Sequence, residues 1–496
     1  MLCRAWGFPE VSRYRAFLAA VVSGLFTVVS WQALFSIPKL AFELAGAGQL
    51  PSALGGLAGA AGAAWILKRY RLELGACFRL AARRLSAIPS RTWLWGCILA
   101  GVALRLAWVA AFPAPQRSDS EVYFNIAARL AAGEPYRDGR GEYAYWPPGL
   151  PLFLYANFFL FGVKPWVPAL ANLFLFGVCA LAVHRLAELI AGGPAARLAV
   201  FLLAAWPNSI ALTGLASKEM IAAALLPLGF LLYSSGKETG GAALVGFFAS
   251  GLCFGYSSLS QPTMVLVPLL LLAYEFLARP QLKISAVRLA IAGIGMAAVV
   301  LPWTIRNCAV LQRCVLISTN GGDVFYRANN PLATGGYVAA GAYPLAGLNE
   351  IERGEIGFRL GREWIRDHPG GFLRLAWAKQ VLFLGDDSKG VYETLKRGLE
   401  IGGAAYVFAK TAANLYWYAI WFLVCAALWI YRDIGPVKAP ESLFFMLCFI
   451  YLFLVHSVFE SGGRHHEPLV GFIAIMAATV ASGKPESLAA AERAGV

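Results

Sequence analysis

Asp119 and Glu121 stand in Ser118-Asp119-Ser120-Glu121, just past the end of a strongly apolar run from Trp93 to Phe112. Carboxylates kept at a membrane–water boundary are costly to place and generally serve a function. An acid there can take a proton from a reacting hydroxyl. Glu219 opens another apolar run from the same side, after Ser217-Lys218. Two acids such as Asp119 and Glu219 can converge on a substrate, or on Mg²⁺ or Mn²⁺, which prefer oxygen ligands. Arg306 closes an apolar run in Leu301-Pro302-Trp303-Thr304-Ile305-Arg306-Asn307, and Arg464-His465-His466 precedes the last one. A guanidinium matches phosphate oxygens in a bidentate fork, so Arg306 reads as a phosphate clamp. Arg464 with His465 suits an anionic headgroup. Tyr145 and Trp146 can stack on a sugar.

Each of these residues also has a purely structural reading. Ser118-x-x-Glu121 fits a helix-capping box, with Ser118 as N-cap and Glu121 as its reciprocal partner. An acid in the first turn also complements the helix dipole. Capping would still leave Asp119 free to face a cavity, with Glu121 beside it as a substrate-facing acid. Glu219 is equally a first-turn acid paired with Lys218. Arg306 is equally an arginine that snorkels to the interface. Tyr145 and Trp146 fit an interfacial aromatic belt. Two adjacent histidines are a weak metal signal, since sequence neighbours rarely point at one ion.

The elements that must position these groups are membrane helices. Of 496 residues, 59% are hydrophobic and 14% charged, which excludes a soluble globular chain. The apolar stretches are continuous rather than alternating, so they are helices and not barrel strands. Runs of about twenty apolar residues predict roughly twelve spans. They lie near 16–37, 51–67, 93–112, 166–190, 196–215, 219–236, 240–258, 262–279, 286–305, 411–430, 442–458 and 467–482. The segment 147–162 begins with Pro147, Pro148 and Pro151 and reads as a re-entrant or surface helix. Glu121 to Ala132, with Val122, Ile126 and Leu130 at spacing four, reads as an amphipathic helix on the membrane surface.

The net charge of +14 is not a nucleic-acid signature. Lys68, Arg69, Arg71, Arg79, Arg83, Arg84 and Arg91 crowd one short loop, as the positive-inside rule expects of a cytoplasmic segment. Anionic membrane lipids are its partner. With Arg4, Arg13 and Arg15 also inside, the loops holding Arg279, Lys283 and Arg288, then Arg432 and Lys438, and the C-terminal tail all face the cytoplasm. The Asp119 loop, Lys218-Glu219, Gln261-Pro262, 306–410 and Glu460–Glu467 then face outward.

Four regions follow. Residues 1–92 form an extension with two spans and the basic loop. Residues 93–305 form a core with the external loop 113–151. Residues 306–410 form a small external cap with a helix from Glu350 to Asp367 stopped by His368-Pro369-Gly370. Residues 411–496 hold the last spans and the tail. Cys97, Cys179, Cys253, Cys425 and Cys448 lie in apolar runs as small buried hydrophobes. Cys308 and Cys314 flank a short external stretch, where a disulfide can form. No Gly-rich phosphate loop, HExxH or G-x-S-x-G occurs, so nucleotide-driven transport and those hydrolase chemistries have no support.

The order of motifs resembles the GT-C superfamily of integral-membrane glycosyltransferases. It is similar above all to bacterial proteins of the protein O-mannosyltransferase and lipid A aminoarabinose transferase type. The resemblance runs through residues 118–136, Tyr145 to Leu154, Leu301 to Asn307, Ser318 to Pro331 and Gly462 to Pro468, covering about 93 to 482. It implies an all-α polytopic fold and transfer of a sugar from a polyprenyl-phosphate carrier to a lipid, glycan or protein acceptor. Transfer would occur at the external face, with inversion and no nucleotide cofactor. The setting would be a bacterial inner membrane with a periplasmic active site. In that scheme Asp119 accepts the acceptor's proton, Glu219 is the second acid, and Arg306 and Arg464 meet the leaving phosphate.

Two positions depart from the family pattern. Gln261 precedes Pro262 where an arginine is common, and His465 follows Arg464 where a tyrosine is common. A flippase for lipid-linked saccharides would instead carry polar residues along the middle of several spans. An oligosaccharide polymerase or ligase would share the donor and orientation but take a polymeric acceptor.

Overall fold

The computed structural model describes residues 9–235, 241–278, 282–338, 344–430 and 439–481. Arg4, Arg279, Arg432, Lys438 and the tail beyond 481, all used above to set orientation, lie outside these residues. Among the described residues every regular element is helical. Eight helices within the described residues are long and apolar enough to cross a membrane, and five shorter apolar helices accompany them there. The chain is a multi-pass membrane protein. Each expected run coincides with a helix, but four of them coincide with the short helices Gly193–Ala204, Glu219–Ser234, Pro262–Ala278 and Glu467–Ala481.

The breaks in these helices have local causes, and they matter because they carry polar groups inward. The run 196–215 is not one span: its helix stops at Ala204 and a separate turn covers Pro207–Leu212. Pro207 has no N–H to continue the ladder and forces the residue before it out of the helical region. Trp206 accordingly sits at φ −68°, ψ 110°. Gly149–Phe161 has 13 residues, about 20 Å of helix, short of the roughly 30 Å of a hydrocarbon core. It packs against the helices Asp119–Ala131, Val167–Ala191 and Gly241–Ser260.

Within 306–410 the helix Glu350–Asp367 forms with the expected bounds, because its ends are encoded locally. Asn349 accepts from the amides of Ile351 and Glu352, and the Glu352 carboxylate accepts from Asn349 N–H, closing a capping box. His368-Pro369-Gly370 ends that helix and starts another, Pro369–Gly385, since proline is tolerated in a first turn. This second helix packs against Pro9–Leu44 and Pro440–Val458. Its Lys379 ammonium is fully buried and donates to Asn329 Oδ1 at 3.0 Å and to the Val458 carbonyl at 2.9 Å.

Helices Gly321–Ala328 and Glu350–Asp367 touch backbone to backbone. A Cβ on Gly322 would lie 1.8 Å from the Gly354 carbonyl oxygen, and one on Gly357 would lie 2.4 Å from that of Gly322. Gly322→Ala therefore forces the two helices apart. The overpacking penalty, about 1–3 kcal/mol or more, exceeds the roughly 1 kcal/mol that alanine returns in helix propensity. A lowered melting temperature in detergent checks this; an unchanged one would mean that the helices part freely.

Candidate active site

Three segments remote in sequence meet around one partly open cavity. Asp119 comes from the start of the Asp119–Ala131 helix, Lys218 and Glu219 from the start of Glu219–Ser234, and Arg464 from the loop before Glu467. Gln116 joins the first two. Its amide nitrogen donates to the Gly214 carbonyl at 2.9 Å and its amide oxygen accepts from Ala216 N–H at 2.8 Å.

Ser118, immediately before Asp119, holds φ 58° and ψ −129°. A non-glycine residue there carries strain of about 1–3 kcal/mol and persists only where its surroundings enforce it. The expected capping box is absent, because in this conformation the Ser118 side chain makes no hydrogen bond to the helix amides. Glu121 is exposed and lines a separate surface groove with Asn125 and Arg129. The face of the helix buried within the protein is Tyr123, Ile126 and Ala127.

Arg464 sits between the two acids. Its Nη1 donates to Asp119 Oδ2 at 2.6 Å, and its Nε lies 4.0 Å from Glu219 Oε1. Ser217 Oγ donates to the other Glu219 oxygen at 2.8 Å. Burial alone would raise the Asp119 pKa, but the charge of Arg464 and its hydrogen bond outweigh it and hold the carboxyl down at about 2. Depression below the ordinary 3.8 means that Asp119 stabilises the fold above that value and loses its contribution as pH falls toward 2. A stability–pH profile should therefore fall off at that acid edge less steeply in Asp119→Asn than in the parent. Coincident profiles would show that Asp119 is not ion-paired in solution.

The far wall comes from Lys389–Val391 and the π-helical turn Tyr392–Gly398, a backbone form frequent at functional sites. Lys389 pairs with Glu393 at 2.5 Å, and Arg397 reaches the same carboxylate at 2.9 Å. Beneath the cavity a buried network ties this wall to the Arg464 loop. His466 is held through Nδ1 at the Phe383 carbonyl, 2.7 Å away, and through Nε2 at Asp387 Oδ1, 3.1 Å away, while stacking on Trp417. Burial would strip the His466 proton, but the Asp387 carboxylate outweighs it and raises the pKa. Trp206 Nε1 donates to the second Asp387 oxygen at 2.7 Å. Asn208, inward because of the break at Pro207, donates to Glu467 Oε2 at 2.8 Å and accepts from Gly390 N–H at 2.7 Å. Gly463 permits the close approach of the two strands of chain: a Cβ there would lie 2.2 Å from the Asp386 carbonyl oxygen.

Of the residues singled out in the sequence, Asp119, Glu219 and Arg464 are brought together. Arg306 is not. Its Nη1 donates to the Tyr143 carbonyl at 2.7 Å and its Nη2 to that of Tyr136 at 3.1 Å, so it braces loop 113–151 and does not line the cavity. Tyr145 donates its hydroxyl to Asp323 and joins that loop to the cap. His465 stacks on His456 with ring centroids 4.1 Å apart, and burial holds its pKa well below the ordinary 6.5. It is therefore a neutral ring and does not supply charge to an anion.

A divalent metal does not fit the Asp119–Glu219 pair as it stands. Arg464 occupies the space between the carboxylates, and among the described residues no group of three or more His, Cys, Asp or Glu side chains is arranged for a metal. Gln116, Lys389, Asp387 and Asn208 were missed in the sequence, and Lys218 was read only as the partner of Glu219, which turns instead to Ser217 and Arg464. The one available signal was Asp386-Asp387-Ser388-Lys389, a polar interruption after the apolar run Val381–Leu384.

No family model and no curated protein matches the chain. Solved structures do. The oligosaccharyltransferase of Archaeoglobus fulgidus in its apo form superposes with a TM-score of 0.51 at 15% identity over 82% of this chain and 52% of its own. The same enzyme tethered to an acceptor peptide containing the NVT sequon gives 0.50 at 16% identity, over 79% and 49%. ArnT from Cupriavidus metallidurans bound to undecaprenyl phosphate aligns over 75% and 77% at 18% identity, but its TM-score of 0.38 supports no inference. The chain shares the membrane-helical fold of the archaeal oligosaccharyltransferase. It spans about half the length of the archaeal oligosaccharyltransferase that it resembles.

Proposed function

We propose that this protein transfers a sugar from a polyprenyl-phosphate carrier to an acceptor hydroxyl of a lipid, glycan or protein at the external face of the membrane, with inversion. The observation that carries the reading is the meeting of Asp119, Glu219 and Arg464 in one cavity, with Glu219 at the start of an apolar helix. The fold supports it. So does the acceptor-tethered oligosaccharyltransferase, a relative in fold that handles an acceptor peptide.

A placement at the boundary suits a donor whose isoprenoid tail stays in the bilayer. The external assignment draws support from the Cys308–Cys314 disulfide beside Arg306, since such bonds persist in oxidising compartments. The basic 68–91 loop belongs on the opposite side under the positive-inside rule. In a bacterial cell the membrane would be the inner one and the site periplasmic.

In this reading the acceptor oxygen attacks the anomeric carbon and its proton passes to Asp119. The bond from the anomeric carbon to the phosphate oxygen breaks, and the phosphate leaves with the electron pair. A carboxylate clamped by Arg464 is a poor base, because general-base power falls with pKa. The donor phosphate competes for Arg464, drawing it off Asp119 and raising the basicity of that carboxylate as the donor seats. No nucleotide enters the reaction.

Purified protein supplied with a polyprenyl-phosphate sugar and a cell-envelope acceptor extract should label the acceptor. Absence of transfer from any polyprenyl-phosphate sugar, with the donor bound, would overturn the reading.

A further inference from the structure

Resting on the reading above, the geometry points to Lys218 as the anchor for the phosphate of the donor, a role that the sequence motifs give to arginines. Four cations line the cavity: Arg117, Lys218, Lys389 and Arg464. Three of them have carboxylate partners. Arg464 is shared by Asp119 and Glu219, Lys389 is taken by Glu393, and Arg117 lies 3.7 Å from Glu400. Lys218 alone among these four has no hydrogen bond or ion pair to any of the described residues, although Glu219 is its neighbour in sequence. The Glu219 carboxylate is turned instead to Ser217 and Arg464.

An ammonium enclosed by protein and left without a counter-charge is unfavourable. Burial lowers the Lys218 pKa and outweighs the opposing pull of the Glu219 and Asp119 carboxylates, neither of which makes a direct contact with the ammonium. Lys218 is therefore the cavity cation placed to meet an incoming anion, and that anion belongs beside Asp119, where a leaving phosphate develops its charge. A lysine serves as a point charge for phosphate without demanding the planar geometry of an arginine fork. Arg306, the other cation suggested for this role, is spent on backbone carbonyls.

Lys218→Met keeps the length of the side chain and removes the charge, so its signature is double. The empty variant should melt higher than the parent, because the uncompensated ammonium is gone. Its affinity for farnesyl phosphate should fall about tenfold to a hundredfold, the worth of one charge-assisted contact. The measurement is titration of the detergent-purified full chain with farnesyl phosphate, with farnesol as the tail-only control and inorganic phosphate as the headgroup-only control.

Farnesol should bind parent and variant alike. Inorganic phosphate should protect the parent against heat and leave the variant unprotected. If farnesyl phosphate alone distinguishes the two proteins, the site takes lipid headgroups; if inorganic phosphate does so equally, it takes free phosphate as well. Lys218→Arg should keep most of the affinity and guards against misfolding of the methionine variant. Equal farnesyl phosphate affinity in parent and Lys218→Met would overturn the assignment while leaving sugar transfer untouched. Loss of affinity in the variant of a protein that transfers no sugar would keep the anion site and sink the enzymatic reading.

Discussion

Asp119→Asn is expected to lower sugar transfer by about two to four orders of magnitude, the usual worth of a positioned general base, while leaving the protein folded. The amide has the shape of the carboxylate but takes no proton from an attacking hydroxyl. The change also frees Arg464, which keeps only the longer approach to Glu219, 4.0 Å against the 2.6 Å it had to Asp119. A released guanidinium is available to phosphate without competition. The variant should therefore bind a polyprenyl phosphate at least as tightly as the parent while turning over far more slowly. A purely structural Asp119 would predict the reverse, weaker binding with little loss in the chemical step. Transfer rates and phosphate binding measured on one preparation separate the two, and full activity in the variant would shift the assignment of base to Glu219.

The second large effect is expected at Arg464. Arg464→Leu removes the cation that two enclosed acids share, and leaves Glu219, whose side chain is only 8% exposed, without its ion-pair partner. Breaking a fully buried pair costs about 3–5 kcal/mol. The loss here should fall below that, since the Asp119 side chain keeps 36% exposure and water screens what remains. Transfer should drop by about two to three orders of magnitude, as when one charge-stabilising donor is removed from an active site. In the double variant Asp119→Asn/Arg464→Leu, part of the lost stability should return because one orphaned charge has gone, whereas activity should not. A melting temperature that falls additively across the two changes would mean that Asp119 and Arg464 are not coupled. Arg464→Lys should recover stability better than activity, because it restores charge without the planar fork.

The buried Asp387–His466 pair explains why Arg464 can be held so closely. Arg464 lies two residues from His466, and Lys389 two from Asp387, so one enclosed contact sets the separation of both cavity walls. Trp206 and Asn208 reach this network only because Pro207 breaks the run that a hydropathy pattern reads as continuous. The polar interruption within 381–389 was visible in the sequence, but its partner loop was not, because the two histidine positions in Arg464-His465-His466 look alike. One imidazole turned out to be paired with a carboxylate and the other stacked on a second histidine.

By itself the sequence determined the membrane class, most of the helix runs and the Glu350–Asp367 helix with its ends. Each depends on residues within a few positions of one another: an apolar stretch needs only length, and a cap only its own turn. It also marked Asp119, Glu219 and Arg464 as polar groups at helix starts. Which of several such groups share a site was decided by tertiary structure, because Asp119 and Arg464 are 345 positions apart. The same applies to Arg306, whose spacing was compatible with a snorkel or a clamp until the fold brought two loop carbonyls to it. At Ser118 a local pattern was overridden, as the packing around Asp119 enforced a positive φ that no capping box accommodates. Short-range hydrogen bonding is written in neighbouring residues, whereas the pairing of charges across a cavity follows from how whole helices pack.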